Sequence, residues 1–427
     1  MAHVPRRCPV LSGRRLTGVL LAAAVALGVP TAPARATTPF AEPTTPLLGD
    51  SVREDETFLR TLDVTDAWTY ANGAGVTVAV IDSGVDFSHP DLQGQVLSGL
   101  DLVDPQGNGD SDQVGHGTTV SAIIAGRNDD NNGVVGIAPK AKILPVRVLD
   151  EQNRYDDAII VAKGVRWAVD HGARVINLSL GGNGSSAALA AALDYAFAKD
   201  VVVVACTGNQ TTSSNDTGVW YPAREPGVIA VAGMERDGDK LWDGSITGRE
   251  TVVTAPATQL VGARPGGSYW KVQGTSFAAP MVSATAALIR SRWPTMPAGE
   301  VINRIIKTAK DRGAAGRDPV YGFGLVNPTG ALTATVPAVF DNPLDTAPSP
   351  GIARFGSAPV PGQAQSAPDT ATNGLVAPKL GAEPGFGAAP RIAAPPASHR
   401  GWWTAAVLFL VSMAAAVLTI RRFSHTT

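Results

Sequence analysis

Five short runs rich in valine and isoleucine recur along the middle of the chain: Val76–Ile81, Ile143–Val148, Val175–Leu180, Val201–Cys206 and Val228–Val231. Most are nearly continuous in apolar residues. Such runs predict strands covered on both faces, the environment of a parallel sheet. Longer segments between and after them predict helices over Thr119–Ala125, Asp156–His171, Ala187–Ala198 and Phe277–Arg290. Alternation of this kind predicts an α/β domain whose parallel strands are joined by helical crossovers. In these sheets ligands gather beyond the carboxyl ends of the strands. Asp82 falls at the end of the first run and Asn209 just past the fourth.

Two further apolar runs lie near the ends. Leu16 to about Val29 follows Arg6, Arg7, Arg14 and Arg15, and precedes Ala34-Arg35-Ala36. A basic start, an apolar stretch and a small-x-small site predict an export signal over residues 1–36. Cleavage after Ala36 fits best, with Ala34 as the near alternative. The stretch is short of the ~18 residues of a spanning helix. Arg14-Arg15 is a weak match to a twin-arginine signal, so Sec export is expected. Near the other end, Trp402–Ile420 holds 19 residues without a charge. At 1.5 Å per residue it reaches about 28 Å, close to the ~30 Å hydrocarbon core. A membrane helix over 401–420 is expected, with Trp402 and Trp403 at one interface and Arg421-Arg422 at the other. Positive residues stay inside, so tail 421–427 is expected in the cytoplasm and the rest outside the cell.

Between domain and anchor, residues 337–400 are dense in Pro, Ala, Gly, Ser and Thr. That composition cannot bury enough apolar surface to fold. As a disordered linker it would reach about 200 Å in polyproline II form, or about 45 Å as a random coil. Residues 37–61 form a short extension and 62–336 the folded domain. Lys and Arg number 35 against 37 Asp and Glu, a formal net charge of −2, so nothing points to nucleic acid. Cys8 leaves with the signal, and Cys206 stands alone in the mature chain. No internal disulfide is expected. On a valine-rich strand Cys206 reads as an inert small residue.

Three segments carry chemistry: Val80-Ile81-Asp82-Ser83-Gly84, Gly115-His116-Gly117-Thr118 and Gly274-Thr275-Ser276-Phe277-Ala278-Ala279-Pro280. Taken singly, each has an ordinary reading. Ser276 at a helix start can be an N-cap, Asp82 a strand-end turn former, and His116 a structural histidine. Together they supply a hydroxyl, a base to take its proton and a carboxylate to orient the base, each among small residues. Their order is Asp, His, Ser. That is the order in subtilisin; chymotrypsin has His, Asp, Ser and the α/β-hydrolases Ser, Asp, His.

The chain resembles the subtilisin-like serine peptidases from about Leu62 to Leu332. The resemblance rests on VIDSGVDFSHPDL at Val80–Leu92, HGTTVSAIIAG at His116–Gly126, GVVGIAPKAKILPVRVLD at Gly133–Asp150, VINLSLGG at Val175–Gly182 and YGFGLVN at Tyr321–Asn327. It implies a three-layer α/β fold around a mainly parallel sheet. It implies Ser276 as nucleophile, His116 as general base and then acid, and Asp82 as the orienting carboxylate. Asn209 would offer its amide to the oxyanion. Ser179-Leu180-Gly181 would form one edge of the cleft for the residue before the scissile bond (P1), and Cys206-Thr207-Gly208 the other. Extended polypeptides would bind there by strand addition. Trp220 falls where relatives line the base of the P1 pocket, often with a small residue. It either makes that pocket shallow or turns into the core.

No cofactor is implied as a requirement. Asp91 and Asp130 match positions that supply oxygens to a structural Ca²⁺ in many relatives, although Asp129-Asp130-Asn131-Asn132 also reads as a plain polar loop. Only 25 residues separate Ala36 from Leu62, too few for a folding pro-domain. Signal, short extension, protease, Pro-rich linker, membrane helix and basic tail resemble the mycosins, anchored subtilisin-like proteases associated with type VII secretion in actinobacteria. That resemblance implies residues 37–60 as an arm packed on the domain rather than an inhibitor. Many mycosins carry cysteine pairs that this chain lacks. A type VII membrane complex is the implied partner. A general surface protease and a scaffold for a membrane complex are the alternatives.

Overall fold

Seven strands form one sheet in the spatial order β2-β3-β1-β4-β5-β6-β7. They are β1 (Thr77–Asp82), β2 (Leu100–Asp101), β3 (Lys142–Arg147), β4 (Val175–Leu178), β5 (Val202–Cys206), β6 (Ile229–Met234) and β7 (Val253–Pro256). Every neighbouring pair is parallel. A computed structural model describes residues 49–130, 132–155, 157–210 and 218–345. The five runs read as strands are β1, β3, β4, β5 and β6, within a few residues at each end. Their burial on both faces explains the continuous apolar runs. A separate antiparallel hairpin joins β8 (Leu260–Arg264) to β9 (Ser268–Val272).

Three short helices open the described chain: α1 (Gly49–Asp55), α2 (Thr57–Thr61) and α3 (Val64–Ala67). The long ones are α4 (His116–Ala125), α5 (Ala158–Asp170), α6 (Ala187–Ala198), α7 (Thr275–Arg292) and α8 (Ala298–Thr308), with the short α9 (Pro328–Thr333) last. Successive side chains on β1 take opposite faces. Ile81 points toward α5, where a side chain at Gly164 would meet Ile81 and Val146. Asp82 points the other way and reaches α4. Helices α4 and α7 pack together on that face, while α5 and α6 pack against each other. This gives three layers with a continuous core between them. α7 lies so deep that Thr275 through Arg290 are all buried.

Strand order turns at β1, whose neighbours are β3 on one side and β4 on the other. The carboxyl end of β1 is therefore a topological switch point, where loops diverge and leave a crevice. Asp82 closes β1 at that point.

The packed region runs beyond 62–336 at both ends. Val52 and Phe58 join the core, so this part of the 37–61 extension is an arm laid on the domain. At the other end, residues expected at the start of the linker are held in place. Asn303 Nδ2 donates to Pro337 O and Asn342 Nδ2 to Gly227 O, each at 2.9 Å. Leu344 packs on the core. A composition rich in Pro and Ala hides these few anchoring contacts. The expected signal, residues 37–48, the linker beyond 345, the 401–420 helix and the tail lie outside the described residues. Among the described residues no helix is long and apolar enough to cross a membrane.

Candidate active site

Asp82 and His116 meet at the switch point. His116 Nδ1 and Asp82 Oδ1 are 2.7 Å apart, and both side chains are buried. Asp82 Oδ1 also accepts from the Ser83 N–H at 2.8 Å. His116 is the first residue of α4, so its ring projects from the helix start over the end of β1. Its ring also faces Phe277, with ring centroids 5.2 Å apart. Phe277 follows Ser276 in the first turn of α7, which brings the serine's helix beside the imidazole. The Ser276 hydroxyl lies 3.9 Å from Cys206 Sγ. Burial pushes the Cys206 thiol up to about 11, so it stays neutral at physiological pH.

A carboxylate that the sequence pattern passes over holds the Asp–His pair in register. Asp112 is buried and accepts five hydrogen bonds, from Ser83 Oγ, the Val114 and Gly115 N–H groups, and the Thr118 N–H and Oγ. Ser83 Oγ in turn accepts from the Gly117 N–H at 3.0 Å. Ser83 is the residue after Asp82, and Gly117 and Thr118 are in the first turn of α4. Asp112 thus ties the end of β1 to the start of α4, where the helix N-terminus favours a negative group. Burial raises its pKa, against the lowering effect of those donors.

Asn209 sits just past β5 and is oriented by Thr275. Its Oδ1 accepts from both the Thr275 N–H and the Thr275 Oγ at 2.9 Å. A backbone N–H can only donate, so the atom facing Thr275 is the oxygen. The amide nitrogen is left beside Gly274, two residues ahead of Ser276. A donor is thereby presented next to the start of α7, whose own free N–H groups add to it.

The two expected cleft edges lie on either side of Trp220. Gly208 adopts φ +107°, and a side chain there would overlap the indole. A side chain on Gly181 would also meet Trp220. Trp220 donates its backbone N–H to Thr207 O at 3.0 Å, and Tyr221 exchanges bonds of 2.7 and 2.9 Å with Gly182. The segment around Trp220 therefore bridges the edges from below, and its indole, 6% exposed, fills the space beneath them. Trp220 is thereby part of the hydrophobic core. Leu180 and Thr207 are buried on the two edges. Ser179 turns its hydroxyl inward, donating to the Ser276 carbonyl at 2.6 Å.

Near Asp91 and Asp130, which read either as Ca²⁺ oxygens or as part of a plain polar loop, lies Arg53 of the N-terminal arm. Its Nε donates to Gly133 O at 2.9 Å and its Nη2 to Asn132 O at 2.8 Å. Nη2 lies 3.9 Å from Asp130. Asp91 accepts from the Val134 N–H at 2.8 Å and bonds Tyr269. A guanidinium thus holds two loop carbonyl oxygens close to Asp91 and Asp130, oxygens of the kind Ca²⁺ takes as ligands. Among the described residues no group of three His, Cys, Asp or Glu side chains could hold a metal.

Residues 73–324 match the Subtilase family, peptidase S8. Subtilisin DY of Bacillus licheniformis is 38% identical over 255 residues, 60% of this chain and 90% of that protein. Fervidolysin of Fervidobacterium pennivorans is 37% identical over 299 residues; the match takes 63% of this chain but only 42% of fervidolysin's length. Among solved structures, the MycP3 protease from the type VII (ESX-3) secretion system superposes with a TM-score of 0.59 at 29% identity. That match covers 70% of this chain and 92% of MycP3.

Proposed function

Since this chain belongs to the subtilase family, we propose that it is a serine endopeptidase cutting polypeptides through an acyl-enzyme on Ser276. The observation that carries the reading is the buried 2.7 Å contact between His116 and Asp82 at the start of the helix beside Ser276's own. The Asp82 carboxylate holds the Nδ1 proton of His116 and so fixes the tautomer, leaving Nε2 as the base. Ser276 Oγ attacks the peptide carbonyl as His116 takes its proton. The Asn209 amide and the Ser276 N–H stabilise the tetrahedral oxyanion. His116 then protonates the leaving amine, and water repeats the cycle on the ester. Substrate pairs its main chain with the Ser179–Gly181 and Thr207–Gly208 edges, while Trp220 restricts P1 to Ala, Gly or Ser.

The cellular setting follows from similarity and from the chain's ends. Likeness to MycP3 supports a place beside a type VII secretion complex. The basic-then-apolar pattern of residues 1–36, expected as an export signal, and the uncharged Trp402–Ile420 run support an anchored enzyme with its peptidase domain outside the cell. Hydrolysis of an unstructured polypeptide by wild-type protein and not by Ser276→Ala tests the chemistry. Secretion in cells carrying Ser276→Ala, compared with deletion, tests the setting. Secretion lost only on deletion favours a scaffold role.

A further inference from the structure

Helix α7 contains a proline close to the nucleophile. In an α-helix the carbonyl of residue i accepts from the N–H of residue i+4. For Ser276 that residue is Pro280, which has no N–H and whose ring crowds the carbonyl four residues back. The Ser276 carbonyl is therefore deprived of its regular donor, in a residue that is buried.

A side chain from the sheet takes that role. Ser179 Oγ donates to Ser276 O at 2.6 Å across 97 positions of sequence. The hydroxyl is itself held: Asn177 Nδ2 donates to Ser179 Oγ at 2.9 Å, and Ser283 Oγ donates to Asn177 Oδ1 at 2.8 Å. Ser179, Asn177 and Ser283 are all fully buried. The chain of bonds starts two turns down α7 at Ser283, crosses to Asn177 on β4 and Ser179 just past its end, and returns to the nucleophile's own peptide group. Each polar atom along it has a partner, the condition under which a buried network rigidifies its surroundings.

The geometry points to Ser179 as a positioning residue for Ser276, its hydroxyl replacing the helical N–H that Pro280 lacks. Ser179 also belongs to the proposed P1 edge, so one residue ties the nucleophile's backbone to the segment that would receive substrate. Binding uses the main chain of that edge, whereas positioning uses the side chain. Loss of the hydroxyl should therefore lower kcat and leave KM nearly unchanged. The inference rests on the peptidase reading above, with Ser276 as nucleophile.

A double-mutant cycle on the full chain tests it. Ser179→Ala strands a buried carbonyl, and the expected loss in kcat is about 10- to 100-fold with KM within about twofold. Pro280→Ala supplies an N–H at residue 280, so adding Ser179→Ala to it should cost less than about threefold. Ser179→Thr, which keeps the hydroxyl, should retain most of the activity. An unchanged kcat in Ser179→Ala, or an equal loss in both backgrounds, overturns the assignment. Should Ser179→Ala not fold, Ser283→Ala carries the test, with several-fold lower kcat expected and unchanged kcat overturning it. A wild-type protein without turnover would instead refute the peptidase reading.

Discussion

Replacing Trp220 with alanine should change which residue the protein accepts before the cut. The indole packs against Gly208 and Gly181, and on the function proposed above it takes up space that a large P1 side chain would need. Burying a phenylalanine side chain is worth about 1.5–3 kcal/mol. At 1.36 kcal/mol per decade, opening that space should raise kcat/KM for a Phe substrate by about 10- to 150-fold. Removing a buried Trp also costs about 3–5 kcal/mol of stability, a large share of the ~5–15 kcal/mol of a whole domain. Trp220→Leu is a gentler companion that opens the pocket part way, and thermal unfolding should accompany each assay. Peptides differing only in Ala, Ser, Leu or Phe at P1 give the readout. Wild type should favour Ala and Ser, and Trp220→Ala should shift toward Phe. A wild type that cuts best after Phe or Tyr would refute the reasoning, as would an unchanged ranking in a folded Trp220→Ala.

Other outcomes follow from the same geometry. Asn209→Ala removes an oxyanion donor, and turnover should fall by about 100- to 1000-fold; equal turnover on a peptide would take Asn209 out of the site. Arg53→Ala should lower the unfolding temperature by an amount corresponding to about 1–3 kcal/mol, because two charge-assisted bonds to loop carbonyls are lost. In wild type, a chelator or added Ca²⁺ should leave that temperature unmoved; a clear rise with Ca²⁺ would mean an ion binds after all. Glu56 is buried beside Arg53; burial, the largest influence, raises its pKa well above the ordinary 4.5. Its folded pKa exceeds its unfolded one, so its contribution to stability is full below about 4.5 and lost as pH rises through the raised value. Glu56→Gln should flatten that decline in melting curves taken across pH, and an unaltered slope would contradict the assignment.

The sheet was legible because its strands are buried on both faces, which writes them as valine and isoleucine runs. Strand β2, at two residues, is too short to leave a pattern. The β8–β9 hairpin carried a usable signal in Pro265-Gly266-Gly267 between two apolar stretches. So did α8, where Val301, Ile302, Ile305 and Ile306 recur at helical spacing and are buried. The positions of Asp82 and Asn209 at strand ends followed from periodicity alone, and the order of Asp, His and Ser narrowed the chemistry. Asp112, Arg53 and the Ser179–Asn177–Ser283 chain were not legible. Each acts through hydrogen bonds to groups brought near only by folding, and no spacing in the sequence encodes such a partner.

The central claim is that Ser276 is a nucleophile activated by His116. A fluorophosphonate, which phosphonylates activated serines, tests it most directly, with peptide mass spectrometry to locate the adduct. One adduct on Ser276 is predicted, formed in wild type and lost in His116→Ala. An unlabelled protein, or label on another serine with Ser276 unmodified, would contradict the account.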